Sequence, residues 1–296
     1  MDAAIRTTGL SKRFGTHQAL RRLDLEVPRG SVVGYLGPNG AGKTTTIRIL
    51  AGLIAPTTGT AEVLGYDVVD RCEEVQRRIG YLPGEFAAYP ELTGAQYLHY
   101  LANLRGDVDW AETERLAKRF DLDLSRRFKT LSHGNKQKLG IIQAFMHRPE
   151  LLILDEPTAG LDPLMQREFL ALLRETRDDG RTVFLSSHIL SDVEAVADTI
   201  AILRRGELVV TKTVEELREQ ALHWLELTFA GPAPLEQLRQ ADGVQQLSVD
   251  GRTAHVEVSG STAGLLTAAA PYQVVDIVSH EADLESIFLD YYTARS

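Results

Sequence analysis

The run Gly37-Pro38-Asn39-Gly40-Ala41-Gly42-Lys43-Thr44 fits the phosphate-loop pattern G-x-x-x-x-G-K-[ST] without a gap. Its glycines let backbone N–H groups turn inward around an anion. Lys43 adds a point charge suited to β- and γ-phosphates, and the Thr44 hydroxyl can ligate Mg²⁺. A second Mg²⁺ anchor is expected at the end of a neighbouring strand. Leu151-Leu152-Ile153-Leu154-Asp155-Glu156 is an aliphatic run ending in two acids, so Asp155 fits that role. Glu156, one residue further out, is placed to orient and deprotonate a water. Each motif has a bland reading: a chance glycine turn, or a surface acid pair after a buried strand. Their joint presence favours phosphate chemistry.

The elements around these residues are legible. Val32–Leu36 reads as a short buried strand and Thr45–Leu53 as a helix, so the phosphate loop has the strand–loop–helix setting it requires. The helix also points its positive end at the loop. Residues 1–30 alternate short strand patterns with turns. Residues 85–145 look helical, with Leu98, Leu101 and Leu104, then Trp110, Leu116 and Phe120, at helical spacing. Arg181–Leu185, Thr199–Leu203 and Glu207–Val210 are β-rich runs. Strands interleaved with helices predict an α/β core with a parallel sheet.

Beyond Thr213 the character changes. Thr213-Val214-Glu215-Glu216 is a capping box opening a linker helix. The expected order then is strand 224–229, helix 234–241, strand 244–249, strand 253–258, helix 261–270 and strand 273–279, with Asp250-Gly251 at the central hairpin. This β-α-β-β-α-β order is the ferredoxin-like pattern. A last helix is expected over 283–292, with Leu284, Ile287, Phe288 and Tyr291 on one face. Residues 1–212 hold 28 basic and 28 acidic residues; residues 213–296 hold 4 and 13 and carry the whole net charge of −9. The boundary is therefore expected at 212/213. The acidic second domain argues against nucleic acid or anionic lipid as a partner, although an acidic surface also simply aids solubility.

The 296 residues are long enough for roughly two domains with a real core. No apolar run approaches the ~20 residues of a membrane helix, and the first residues lack the apolar stretch of a signal peptide. The single cysteine, Cys72, excludes an internal disulfide and fits a reducing compartment.

A third motif, Leu131-Ser132-His133-Gly134-Asn135, sits 23 residues before Asp155 when counted from Ser132. It resembles the Leu-Ser-Gly-Gly-Gln signature of the ATP-binding subunits of ABC transporters, and with the motifs above the resemblance covers residues 3–212. Ser132 reads as the N-cap of the helix that follows. The resemblance implies a P-loop NTPase core with antiparallel β and helical subdomains, ATP and Mg²⁺ as cofactors, and a dimer. In that dimer Ser132 and Gly134 of one copy complete the triphosphate site of the other. It further implies that Ala159–Asp162 is the loop crossing the dimer interface, with Asp162 at the nucleotide. His188 matches the switch histidine that contacts the γ-phosphate and the catalytic acid, Phe14 the aromatic stacked on adenine, and Thr45 extends the phosphate loop.

Two departures stand out. The family carries glutamine after Gly80-Tyr81-Leu82-Pro83, where this chain has Gly84 and then Glu85. Either Glu85 takes over part of the glutamine's role near the cation, or the loop works mainly by coupling to a partner. His133 and Asn135 replace glycine and glutamine of the signature, and a bulky His133 implies a reshaped interface. The run Leu-Pro-Gly-Glu, the signature variant and the acidic extension look like the drug-resistance export group. The resemblance then implies a separate membrane permease, a place on the cytoplasmic face of the membrane and no lipid insertion by this chain. A soluble ABC ATPase without a permease is the competing expectation. The spacing of 112 residues between Lys43 and Asp155 leaves no room for the long insertions of repair ATPases.

Overall fold

The computed structural model describes residues 3–106, 108–220 and 222–280. The chain divides into two compact units, the second starting at Lys212.

Numbered in chain order, the first unit opens with β1 (Ala3–Phe14), β2 (His17–Leu23), β3 (Glu26–Pro28) and β4 (Val32–Leu36). Helix α1 (Lys43–Leu50) precedes β5 (Thr58–Val63), β6 (Tyr66–Asp67), α2 (Cys72–Arg78) and β7 (Ile79–Leu82). Three helices follow: α3 (Gly94–Arg105), α4 (Trp110–Arg119) and α5 (His133–Phe145). The unit closes with β8 (Leu151–Asp155), α6 (Pro163–Asp178), β9 (Thr182–Ser187), α7 (Leu190–Glu194), β10 (Thr199–Arg204) and the start of β11 (Glu207–Thr213), whose last two residues fall in the second unit.

Two sheets organise these strands. One runs β2-β1-β5-β6, with β3 also paired to β1, and its ladders are antiparallel. The other runs β11-β10-β4-β9-β8-β7, with parallel pairing from β10 through to β7. Every residue of β4, β8 and β9 is buried, as expected for central parallel strands covered on both faces. Ile47, Ile49 and Leu50 of α1 share one core with Ile5 and Val63 of the antiparallel sheet and with Tyr35, Ile153 and Phe184 of the parallel sheet. Each such side chain stabilises the fold by roughly 1.5–3 kcal/mol on burial. Because α1 is wedged between both sheets, the loop that feeds it is held from two sides.

The helices of 94–145 begin at built caps. Gln96 N–H donates to Thr93 Oγ1 at 3.2 Å while Gln96 Oε1 accepts from Thr93 N–H at 3.0 Å, and Asp109 caps α4 through Ala111 N–H at 3.0 Å. Two sequence readings change here. Leu104 is 67% exposed, because six residues past Leu98 is about 120° off the buried face. The first helix spans Lys43–Leu50 rather than Thr45–Leu53: the left-handed Gly42 starts it two residues earlier, and Gly52 at φ +68° lies just past its end.

The second unit contains α8 (Val214–Gln220), β12 (Leu222–Phe229), α9 (Leu235–Arg239), β13 (Val244–Asp250), β14 (Thr253–Ser259), α10 (Ala263–Ala269) and β15 (Val274–His280). The reciprocal Thr213–Glu216 bonds, 2.8 and 3.1 Å, close the capping box that opens α8. Its sheet runs β13-β14-β12-β15 with all neighbours antiparallel. Leu225, Leu227 and Phe229 alternate onto the face that meets Leu238 of α9 and Leu265 of α10. The helix expected over 283–292 lies outside the described residues.

Candidate active site

The phosphate loop leaves the buried end of β4 at Leu36 and enters α1 at Lys43. Gly42, at φ 114°, is the N-cap and supplies no side-chain oxygen to the helix. The first N–H groups of α1 are thus left to an outside acceptor, and the helix dipole favours an anion there. A Cβ at Gly42 would sit 2.7 Å from the Ala19 carbonyl oxygen, so only glycine fits. Gly37, Pro38, Asn39, Gly40 and Ala41 form the turn itself, closed by Ala41 N–H on the Pro38 carbonyl at 3.1 Å. Lys43 folds back over this turn. Its Nζ donates to the Gly37 carbonyl and to the Pro38 carbonyl at 3.3 Å. Thr44 is exposed and Thr45 half-buried in the first turn of α1.

Asp155 is the last residue of β8, which β9 separates from β4 in the sheet, and Glu156 follows it. Asp155 is 1% exposed. Its Oδ1 accepts from the Ser186 hydroxyl at 2.6 Å, while its Oδ2 is buried without a hydrogen-bond partner. A buried carboxylate oxygen left unpaired fits a cation ligand; Asp155 and the Thr44 hydroxyl are the hard-oxygen groups that could hold Mg²⁺.

Glu156 adopts a left-handed backbone, φ +49°, a conformation that costs a non-glycine residue about 1–2 kcal/mol. Hydrogen bonds on both sides hold it there. Its N–H donates to Ser186 Oγ at 3.1 Å, and its carbonyl accepts from the Gln137 amide at 3.3 Å. The same amide reaches the Pro157 carbonyl at 3.0 Å. The Glu156 carboxylate then bridges two sites: Oε1 lies 3.3 Å from Lys43 Nζ and Oε2 lies 2.8 Å from His188 Nδ1. Lys43, Glu156 and His188 therefore converge at the C-terminal edge of β4, β8 and β9.

Other expected residues lie on separate features. Ser132 is the exposed N-cap of α5, its Oγ accepting from Asn135 N–H at 3.3 Å. Gly134 packs so closely on the 159–162 loop that an added Cβ would fall 2.6 Å from the Gly160 carbonyl oxygen. The His133 ring lies over Gly160, where an added Cβ would come within 2.3 Å of it. The His133 side chain thus meets Gly160 of its own chain while the residue stays exposed. Asp162 caps α6 through Leu164 N–H at 3.1 Å and Met165 N–H at 3.0 Å. Phe14 is 49% exposed, with Lys12 Nζ 5.0 Å from its ring centre. Glu85 is exposed, and it is Gly84 that borders the unpaired Asp155 oxygen: an added Cβ there would lie 3.2 Å from Oδ2. Among the described residues no hydrogen bond or ion pair joins Ser132, Phe14 or Glu85 to the Lys43–Glu156–His188 cluster.

Sequence reading did not single out Ser186 or Gln137. The only signal for Ser186 is its place two residues before His188; Gln137 is a polar residue one would assign to an exposed helix face, yet it is 2% exposed.

The ABC transporter family model matches residues 20–159. The bacitracin transport ATP-binding protein BcrA of Enterococcus faecalis is 38% identical over 223 residues, covering 74% of this chain and 72% of the relative. The chain belongs to the ABC transporter family of ATP-binding subunits. The daunorubicin/doxorubicin resistance ATP-binding protein DrrA of Streptomyces peucetius is 41% identical over 222 residues, 73% of this chain and 67% of that one. Among solved structures, an ATP-binding subunit of an ABC transporter superposes with a TM-score of 0.67 at 34% identity, covering 73% of this chain and 92% of its own. A dimeric ATP-binding cassette in a post-hydrolysis state with ADP and Pi shares the fold, with a TM-score of 0.64 at 23% identity over 71% of this chain and 98% of that chain. This ABC subunit is an ATPase, and its phosphate loop and tandem acids occupy the matched region. Among the described residues no helix is long and apolar enough to cross a membrane.

Proposed function

We propose that this subunit hydrolyses MgATP at a seam between two copies and so powers an exporter whose permease is a separate membrane chain. The observation that carries the reading is the Glu156 carboxylate bridging Lys43 and His188 at the mouth of the phosphate loop. The α1 N-terminus and Lys43 receive the β- and γ-phosphates. Glu156 takes the proton of the attacking water, its carboxylate held in place by His188. Fixing the base beside the γ-phosphate supplies most of the acceleration expected of positioning and charge stabilisation. Thr44 and Asp155 would hold Mg²⁺, which when bound would supply charge neutralisation to the phosphates.

The exposed Ser132 at the tip of α5 is a hydroxyl on a helix N-terminus, a good γ-phosphate ligand for a second copy. Gly160, packed on Gly134 of the same helix start, and Asp162 two residues on would meet the same seam. Phe14 offers an exposed ring for adenine, and the exposed Glu85 would either act near the cation or serve the loop's coupling to a partner. The relatives' names, bacitracin transport and daunorubicin/doxorubicin resistance, favour export of a small molecule and a peripheral position on the cytoplasmic face. Residues 213–296 would then be an accessory domain and residues 1–212 the ATPase domain.

Glu156→Gln tests the reading. With ATP and Mg²⁺ this variant is expected to elute as a dimer, and a strictly monomeric profile under those conditions would end the sandwich. Co-purification with a multi-helix membrane protein encoded beside this chain tests the transporter role. Recovery from the soluble fraction alone, at full ATPase activity and without any such partner, would favour a permease-free ATPase.

A further inference from the structure

The parallel register sets Ser186 of β9 directly beside Asp155 of β8 on one side and beside Tyr35 of β4 on the other. Its side chain is fully buried, so it serves the interior of the site. A hydroxyl has one proton and two lone pairs. Here the proton goes to Asp155 Oδ1 at 2.6 Å, and a lone pair takes the Glu156 N–H at 3.1 Å. One side chain thus fixes both acids at once: the carboxyl rotation of Asp155 and the strained backbone of Glu156.

The consequence falls on Asp155 Oδ2. With Oδ1 committed to Ser186, the other oxygen is buried and unpaired. Gly84 is the residue that borders it, and a Cβ there would already stand 3.2 Å away. The chain therefore keeps side-chain bulk away from one carboxylate oxygen while a serine holds the carboxylate by the other. An unpaired buried carboxylate oxygen carries a desolvation cost that a cation ligand removes.

We propose that Ser186 is a positioning residue for the divalent cation of MgATP, holding Asp155 so that Oδ2 stays available to the cation and tying that placement to Glu156. The proposal rests on the MgATP reading above. Without the hydroxyl, Asp155 Oδ1 and the Glu156 N–H both lose a buried partner, and the carboxyl is released to turn in search of a donor.

The test is the ratio of affinities for a fluorescent ATP analogue measured with excess Mg²⁺ and with EDTA. Wild type, Ser186→Ala and Ser186→Thr are compared, with thermal unfolding as a check that each is folded. Mg²⁺ is expected to tighten wild-type binding. Ser186→Ala should lose at least about fivefold of that Mg²⁺-dependent gain, the size of one lost charge-assisted hydrogen bond, with its EDTA affinity within about twofold of wild type. Ser186→Thr, which keeps the hydroxyl, should recover most of the gain. A Ser186→Ala ratio equal to wild type overturns the proposal, whatever happens to absolute affinity, because a merely structural role would shift both measurements together. A wild-type protein whose affinity ignores Mg²⁺ overturns the MgATP reading itself.

Discussion

His188 Nδ1 lies 2.8 Å from Glu156 Oε2, although the two residues are 32 positions apart. They meet because β8 and β9 are adjacent, parallel and in register from Leu151/Thr182 to Asp155/Ser186. Residues just past the two strand ends must then emerge at the same edge. The Glu156 carboxylate faces His188 with one oxygen and pairs with Lys43 through the other, so it is oriented at each end.

Glu156→Gln keeps the shape of that bridge and removes its basicity. We expect nucleotide affinity to stay within a few-fold of wild type while turnover drops by at least about 10²-fold. Steady-state phosphate release beside equilibrium nucleotide binding separates the two. Normal turnover would strip Glu156 of the base role.

Lys43→Ala removes the cation that lies between the loop carbonyls and Glu156. The expected loss is at least about tenfold in ATP affinity, equivalent to ~1.4 kcal/mol. Calorimetric titration reads it directly. Adenosine, which has no phosphates, should bind both proteins alike.

Gly134→Ala places a Cβ 2.6 Å from the backbone oxygen of Gly160. Neither partner is the tip of a flexible side chain, so the start of α5 and the 159–162 loop must separate. A stability loss of about 1–3 kcal/mol is expected. In the Glu156→Gln background the variant should also fail to form an ATP-dependent dimer, because Ser132 moves with the helix start. Size-exclusion chromatography with and without ATP would show it, and an unaltered dimer peak would contradict the arrangement.

His147 sets an acid limit on stability. Its Nε2 lies 3.1 Å from the Ile79 carbonyl oxygen, and burial, with the neighbouring Arg105 guanidinium second, pushes the imidazole down to about 4. The folded state therefore resists protonation where the unfolded chain accepts it from about pH 6.5 downward. Above that pH the group costs nothing. As pH falls from about 6.5 through 4, the unfolded chain gains protons and roughly 3 kcal/mol of stability is lost. His147→Gln keeps a donor for Ile79 without the titration. Its denaturant-unfolding free energy should fall less steeply than wild type over that window, and parallel curves would refute the assignment.

Much of the chemistry was legible in the amino-acid order because it depends on local patterns. A phosphate loop is one contiguous turn whose geometry is written in its own glycines. The aliphatic run before Asp155 declares a buried strand, and the Thr213–Glu216 box declares a helix start. In the second unit, strand alternation and the Asp250-Gly251 turn gave element positions within a few residues. Leu104 and the ends of α1 were misread because helix faces and boundaries answer to packing and to glycine conformations rather than to apolar spacing alone.

Tertiary structure decided the rest. Strand order and register determine which side chains become neighbours, and no pattern within the chain states that β9 lies beside β8. That adjacency alone makes Ser186, an unremarked serine, the partner of both acids. Burial likewise turned Gln137 into the anchor of the Glu156–Pro157 backbone, and close approach turned Gly160 into the seat for His133. Residue types and their spacing are enough to say which groups can do phosphate chemistry, since that follows from their functional groups. The fold determined which of those groups act on one another, since hydrogen bonds and ion pairs depend on distances of about 3 Å that only packing sets.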